Sequence, residues 1–314
     1  MNETKAIIIA IAGLVFFNFF FVNYVGLFST SVDYVQMYSC TTEGVFIENI
    51  ESCSTYPPLF MFIAKMFSVR EIFFKQLILF LFAFVMPLVL YKITKEPITV
   101  WFYFSTINFF YAIITSGFFS QGLSMILIFS MFFLKGWKRM AILPLTIIAH
   151  STSFPIAIVV YLLIALEEYY NKTYPNKKIF GELKKFFVCS PFWGIVPKEF
   201  NSVINQTVLD DGFTSINIVL SVLFKRIPIF FFIPAIYKFY KEKMFALFLL
   251  SIFFIVVGFF IHARSFYFAG LPMVIGLTYF YKDCCKTKKK IILLGSIVYF
   301  VFFVQQLYAL GMSC

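Results

Sequence analysis

An all-α, polytopic bundle of transmembrane helices is the fold class that this sequence predicts, and three observations predict it. Hydrophobic residues fill 61% of the 314 positions and the mean hydropathy is +0.90, a composition outside the range of soluble globular domains. Apolar runs of helix length recur from end to end, whereas a β-barrel would need alternating segments of about ten residues. Lys and Arg, 26 against 15 Asp and Glu, gather in alternate connecting segments, so the net charge of +11 reads as sidedness across a membrane and not as a nucleic-acid surface. Together these predict a single integral membrane domain over residues 1–314 with about 9 to 11 membrane segments, some of them short, broken or re-entrant.

The first span runs from about Lys5 to Leu27, inside to outside, and no small-residue cleavage site follows that would mark a removable signal. It leads into an outer loop over about 28–57, FSTSVDYVQMYSCTTEGVFIENIESCSTYP, which is acidic and contains no Lys or Arg, as expected on the non-cytoplasmic side. Within it a Cys40–Cys53 disulfide would contribute roughly 3 kcal/mol, with two free thiols as the other reading. The apolar run 57–67 is too short to cross a core of about 30 Å and reads as re-entrant or interfacial, ahead of the polar patch Arg70, Glu71 and Lys75. Spans at 76–91, 98–115 and 120–134 then carry the chain to the basic KGWKR segment, inside, with the turn TSGFFSQG on the outer side.

The next run, MAILPLTIIAHSTSFPIAIVVYLLIAL, is flanked at both ends by basic segments, so both ends belong inside. Pro144, the HSTS cluster and Pro155 break it into two half-length helices that meet near or above the membrane centre. Residues 180–196 lead out to a second outer loop over 197–226; 227–240 descends, 244–261 ascends, 266–281 descends to KDCCKTKKK, and 291–309 ascends. Cys284 and Cys285 have no second Cys/His pair at zinc spacing, so no metal is expected there.

On this topology Asp33, Tyr34, Tyr38, Tyr56, Gln121, His150, Asp210, Asp211, His262 and Arg264 converge on the outer face. Ionisable groups cost roughly 2.5 to 3.5 kcal/mol at the centre of a membrane helix, so by default they mark a site. Asp33, just after the first span, suits a general base and equally a solvated loop acid. Arg264 offers a fork for a diphosphate, or else a snorkelling side chain. His150, in a helix break with Ser151, Thr152 and Ser153, can donate to a phosphate or shuttle a proton, or simply satisfy a kink. Lys225 and Arg226 can attract an anionic lipid headgroup, or anchor a helix at the interface.

SVDYVQMY in the first outer loop, SGFFSQGLSMILIFSMFFLKGWKRM, ILPLTIIAHSTSFPIAIVVYLL and the late ARSFYFAGLPMVIG occur in the order seen in the EpsG-like family of polysaccharide polymerases, the Wzy-type enzymes of O-antigen and capsule synthesis. The chain resembles that family over roughly residues 5–285. The resemblance implies transfer of an undecaprenyl-diphosphate-linked oligosaccharide repeat unit at the outer face of a bacterial inner membrane, without a cofactor or metal. It also implies membrane lipids, a chain-length regulator and a flippase as partners, and no nucleic acid. The family's Asp-Tyr, His and Arg…Tyr-Phe positions fall on Asp33 and Tyr34, on His150, and on Arg264 with Tyr267 and Phe268, which makes Asp33, His150 and Arg264 the expected catalytic residues; Tyr38, Tyr56, Gln121, Lys225 and Arg226, placed at the same face by the topology, join Tyr34 and Tyr267 as expected substrate contacts. Where the family usually shows Arg-Gln, this chain reads Ser120-Gln121, and YPPL at Tyr56 to Leu59 is similar to the C-type membrane glycosyltransferases, which use polyprenyl-monophosphate-linked sugars. A C-type architecture and a non-enzymatic transporter of lipid-linked glycans stay open as alternatives.

Overall fold

The computed structural model describes residues 2–23, 71–106, 119–150, 153–171, 229–260 and 265–312, with the single positions 59, 62, 63, 66, 178, 181 and 184. The described residues are helical, with no strand among them. The helices are α1 (Asn2–Asn23), α2 (Glu71–Leu79), a π-helical segment (Phe80–Val85), α3 (Met86–Thr94), α4 (Ile98–Thr106), α5 (Phe119–Ser130), α6 (Trp137–Ala149), α7 (Phe154–Tyr170), α8 (Ile229–Lys241), α9 (Phe245–Phe260), α10 (Ser265–Asp283) and α11 (Lys286–Met312). Among the described residues two helical stretches are long and apolar enough to cross a membrane: Asn2–Phe19 in α1, and Lys75–Thr94, in which α2, the π segment and α3 form one rod. Of the expected re-entrant run 57–67 only Leu59, Phe62, Ile63 and Met66 are described, and of the span 180–196 only Gly181 and Lys184; both outer loops and the Cys40–Cys53 pair lie outside the described residues.

The core is built around α10, whose residues from Phe268 to Thr278 are buried without interruption. It packs against α8, α9, α4 and α3. The approach to α8 is close because both helices present small residues. A Cβ added at Gly276 would stand 2.7 Å from the Ala235 Cβ and 2.8 Å from the Ala235 Cα, so only glycine lets these backbones meet. The hydroxyls of Thr278 and Ser251 bond back to the carbonyls of Val274 and Leu247, leaving neither unpaired in apolar surroundings. Outward, the helices are also apolar: Ile8, Val15 and Phe19 of α1, Ile252 and Val256 of α9, and Ile291, Leu294 and Val301 of α11 are exposed. A helix that is hydrophobic all round needs an apolar surrounding on every side.

With Glu71 and Lys75 at the start of α2 as exceptions, most of the charge among the described residues gathers at one end of this bundle. There Lys92 pairs with Glu3, Lys282 with Glu96 at 2.9 Å, and Lys238 with Asp283 and, at 2.6 Å, with Glu242. Arg139 forks onto Glu168 at 2.7 and 2.9 Å, the Glu167 carboxylate accepts the Ala246 N–H at 2.8 Å, and the Asn171 amide donates to the Lys243 carbonyl. The turns that produce this end are tight. Lys95 ends α3 in the left-handed conformation (φ 61°), its N–H on the Tyr91 carbonyl, with Pro97 following. Lys243 (φ 56°) turns α8 into α9, and the Met244 N–H closes onto the Phe239 carbonyl. Gly136 (φ 62°, ψ −142°) starts α6 in a conformation open essentially to glycine alone.

Candidate functional site

The break in the sixth apolar run falls at His150 and not at Pro144. α6 continues through Pro144, whose ring lies on the exposed face of the helix, and stops when His150 turns extended (φ −167°, ψ 106°). The His150 N–H still donates to the Thr146 carbonyl at 2.8 Å, and the Ser153 N–H donates to the His150 carbonyl at 3.0 Å. α7 then starts with Pro155 in its first turn, where a missing N–H costs nothing. Thirteen residues of α6 reach about 20 Å from the ionic end. α6 and α7 therefore form a hairpin with His150 at its tip.

At this tip three side chains make a continuous polar seam. His150 Nδ1 lies 2.9 Å from Ser153 Oγ, Ser153 Oγ lies 2.8 Å from Ser124 Oγ in α5, and Ser124 Oγ lies 2.7 Å from the Gln121 carbonyl oxygen. Ser124 and Ser153 are buried. The Gln121 side-chain oxygen is also buried and meets no hydrogen-bond donor among the described residues. An imidazole held this way by hydroxyls, away from bulk water, can accept or donate a proton and orient a polar ligand group. Beside it, an apolar groove of about 370 Å³ opens between α7 and α9, lined by Pro155, Ile156, Val159, Leu163, Leu250 and Phe253 among others. Its first lining residue, Pro155, is two positions beyond Ser153 of the seam. Among the described residues no three His, Cys, Asp or Glu side chains gather as metal ligands would.

Of the residues expected to form the site, the structure brings two together: Gln121 and His150, from separate helical segments, joined through Ser124 and Ser153. Tyr267 belongs to the first turn of α10. Asp33, Tyr34, Tyr38, Tyr56, Lys225, Arg226 and Arg264 lie outside the described residues, as do Asp210, Asp211 and His262. Ser124 was not anticipated. Its signal was present in the i, i+3 spacing from Gln121, which places both on one helix face, but a lone serine in an apolar helix ordinarily reads as a side chain bonded back to its own turn. Compared with family models, with curated proteins and with solved structures, the chain matches none.

Proposed function

We propose that the chain is a polytopic membrane glycosyltransferase that polymerises undecaprenyl-diphosphate-linked oligosaccharide repeat units at the outer face of a bacterial inner membrane. The observation that carries this reading is the His150–Ser153–Ser124 seam, polar chemistry assembled at a helix break inside an apolar bundle. Broken backbone and polar groups at depth are kept only where protein or a water-filled cavity serves them, and they mark ligand paths. Three further features fit. The lysine-rich end suits the cytoplasmic side. The outward apolar side chains of α1, α9 and α11 suit lipid. The groove between α7 and α9 suits an isoprenoid chain whose headgroup meets the seam.

In the reaction that the family resemblance implies, Asp33 takes the proton of the acceptor sugar hydroxyl. Arg264, with His150, Lys225 and Arg226, neutralises the departing diphosphate, while Tyr34, Tyr38, Tyr56, Gln121 and Tyr267 position the glycan. Diphosphate is a good leaving group, so positioning and charge neutralisation supply most of the catalysis. YPPL at Tyr56 to Leu59 and serine at position 120 favour the second reading, a C-type transferase with a monophosphate-linked donor.

Reconstitution of the purified protein with a diphosphate-linked repeat unit tests the proposal. The expected result is a ladder of polymers from the wild type and none from Asp33→Asn, His150→Gln or Arg264→Ala variants that remain folded. Addition of single sugars from a monophosphate donor, with no ladder, would move the protein to the C-type reading. Inactivity with both donors, combined with movement of the lipid-linked glycan across the vesicle, would make it a transporter.

A further inference from the structure

The ionic end holds more lysine than its carboxylates engage. Each carboxylate described there is taken: Glu3 by Lys92, Glu96 by Lys282, Glu168 by Arg139, Glu167 by the Ala246 N–H, and Glu242 and Asp283 by Lys238. Lys286, Lys288 and Lys290 are exposed and have no carboxylate partner among the described residues, while Lys289 turns inward over the Tyr281 ring at 5.5 Å. These lysines stand where a helix tolerates cations least. They open α11, beside the positive end of its dipole, with no acidic residue in the first turn, and Lys286 and Lys290 repel as like charges four residues apart. Neither helix stability nor an internal ion pair accounts for them; an anion from outside the chain does.

Directly after the lysines the same helix is apolar and uncovered. Ser296 turns inward and accepts the Trp101 indole N–H of α4 at 2.8 Å, while Ile291, Leu294, Val298 and Val301 on the opposite side are between 48% and 65% exposed. At about 100° per residue Lys290 lies on this exposed face, and Lys286 and Lys288 flank it on either side. Cations at the head of a bare apolar strip match an amphiphile with an anionic head. A soluble anion would use the lysines alone, and an acidic protein would leave the strip unserved. We propose that the head of α11 binds an anionic phospholipid of the leaflet at the ionic end, its phosphate on Lys286, Lys288 and Lys290 and an acyl chain along Ile291, Leu294 and Val298. The lysine stems lie against the lipid body while the ammonium groups reach its phosphate, and the bound charge relieves both the repulsion and the dipole. The proposal rests on the membrane reading of the chain; glycosyl transfer does not enter it.

Native mass spectrometry of the full chain, purified in a neutral detergent and titrated with phosphatidylglycerol or phosphatidylcholine, tests this. The expected result is a preference for phosphatidylglycerol of about a hundredfold at low salt, which shrinks as NaCl is added. Lys290→Gln alone should lower it roughly fivefold, and Lys286→Gln with Lys288→Gln and Lys290→Gln should bring the two lipids nearly to parity. Lys5→Gln with Lys95→Gln and Lys138→Gln removes the same charge from exposed positions elsewhere in the chain and should keep the preference. Equal loss in both triple variants would mean a diffuse positive field and overturn the site. Soluble glycerophosphoglycerol should not displace the lipid; displacement would make the lysines a site for a free phosphate and overturn the lipid as occupant. A protein that needs detergent yet binds both lipids alike loses this proposal and keeps the membrane reading, whereas one that stays dissolved and folded without detergent loses both.

Discussion

Arg139 carries more of the ionic end than any neighbour, because every arm of its guanidinium is engaged. Its side chain is 2% exposed; Nε donates to the carbonyls of Met131 and Leu134, and the two terminal nitrogens fork onto Glu168, itself 16% exposed. One residue thereby closes the turn between α5 and α6 and ties it to the end of α7. Arg139→Ala takes the fork from the Glu168 carboxylate and the donor from two carbonyls together, and it is expected to destabilise the folded protein by about 3 to 5 kcal/mol in unfolding from detergent micelles. Arg139→Lys recovers only part of this, since an ammonium cannot reproduce the planar fork. Replacing both partners, Arg139→Met with Glu168→Leu, should cost less than Arg139→Ala alone, because no largely buried carboxylate is then left without its guanidinium. A double variant at least as unstable as Arg139→Ala would mean that the fork, and not relief of a buried charge, dominates.

Among the elements, the rod from Glu71 to Thr94 has a local defect with an identifiable cause. In its π segment the Met86 N–H bonds the Leu81 carbonyl, five residues back, so the Phe82 carbonyl would need the N–H of residue 87. Residue 87 is proline and has none. The Tyr103 hydroxyl of α4 fills the vacancy, donating to the Phe82 carbonyl at 2.7 Å. Tyr103→Phe is therefore expected to cost roughly 0.6 to 2 kcal/mol. In the Pro87→Ala background, where a backbone N–H is restored, the same substitution should be nearly silent, and a double-mutant cycle on thermal stability would read the coupling. Additive effects would disconnect Tyr103 from the π segment. The span itself was legible from its apolar run, and so was the break near His150, because Pro155 and the HSTS cluster mark a helix restart. Pro144 misleads for a physical reason: a helix tolerates proline when the ring points outward and only one hydrogen bond is lost. Neither the π segment nor the Ser124 link could be read from the chain. Both depend on which side chain a separate helix brings alongside, and an apolar run of phenylalanines and leucines carries no record of that.

For the whole molecule, the described ion pairs join the start of α1 with the turns around Lys95, Gly136, Asn171, Lys243 and Cys285 at one end, and leave the hairpin tip at His150 on the far side. This arrangement predicts a common sidedness that chemical labelling can read. Cys285 is exposed at the head of α11, and the Lys288 and Thr287 N–H groups bond its sulfur and draw its pKa below the ordinary thiol range, while burial pushes the neighbouring Cys284 up. Since the thiolate is the reactive form, a lowered pKa means that Cys285 keeps a larger reactive fraction as pH falls towards neutral, and Cys284 a smaller one. A membrane-impermeant maleimide near neutral pH should therefore modify Cys285 well before Cys284. It should do so from one side of an oriented vesicle. Single cysteines placed at Lys138 and Lys241, both exposed at the same end, must then label from the same side as Cys285. If one of them labels from the opposite side, the helices between it and Cys285 do not return to a common face. The hairpin geometry that holds His150 about 20 Å away from that face would then have to be abandoned with them.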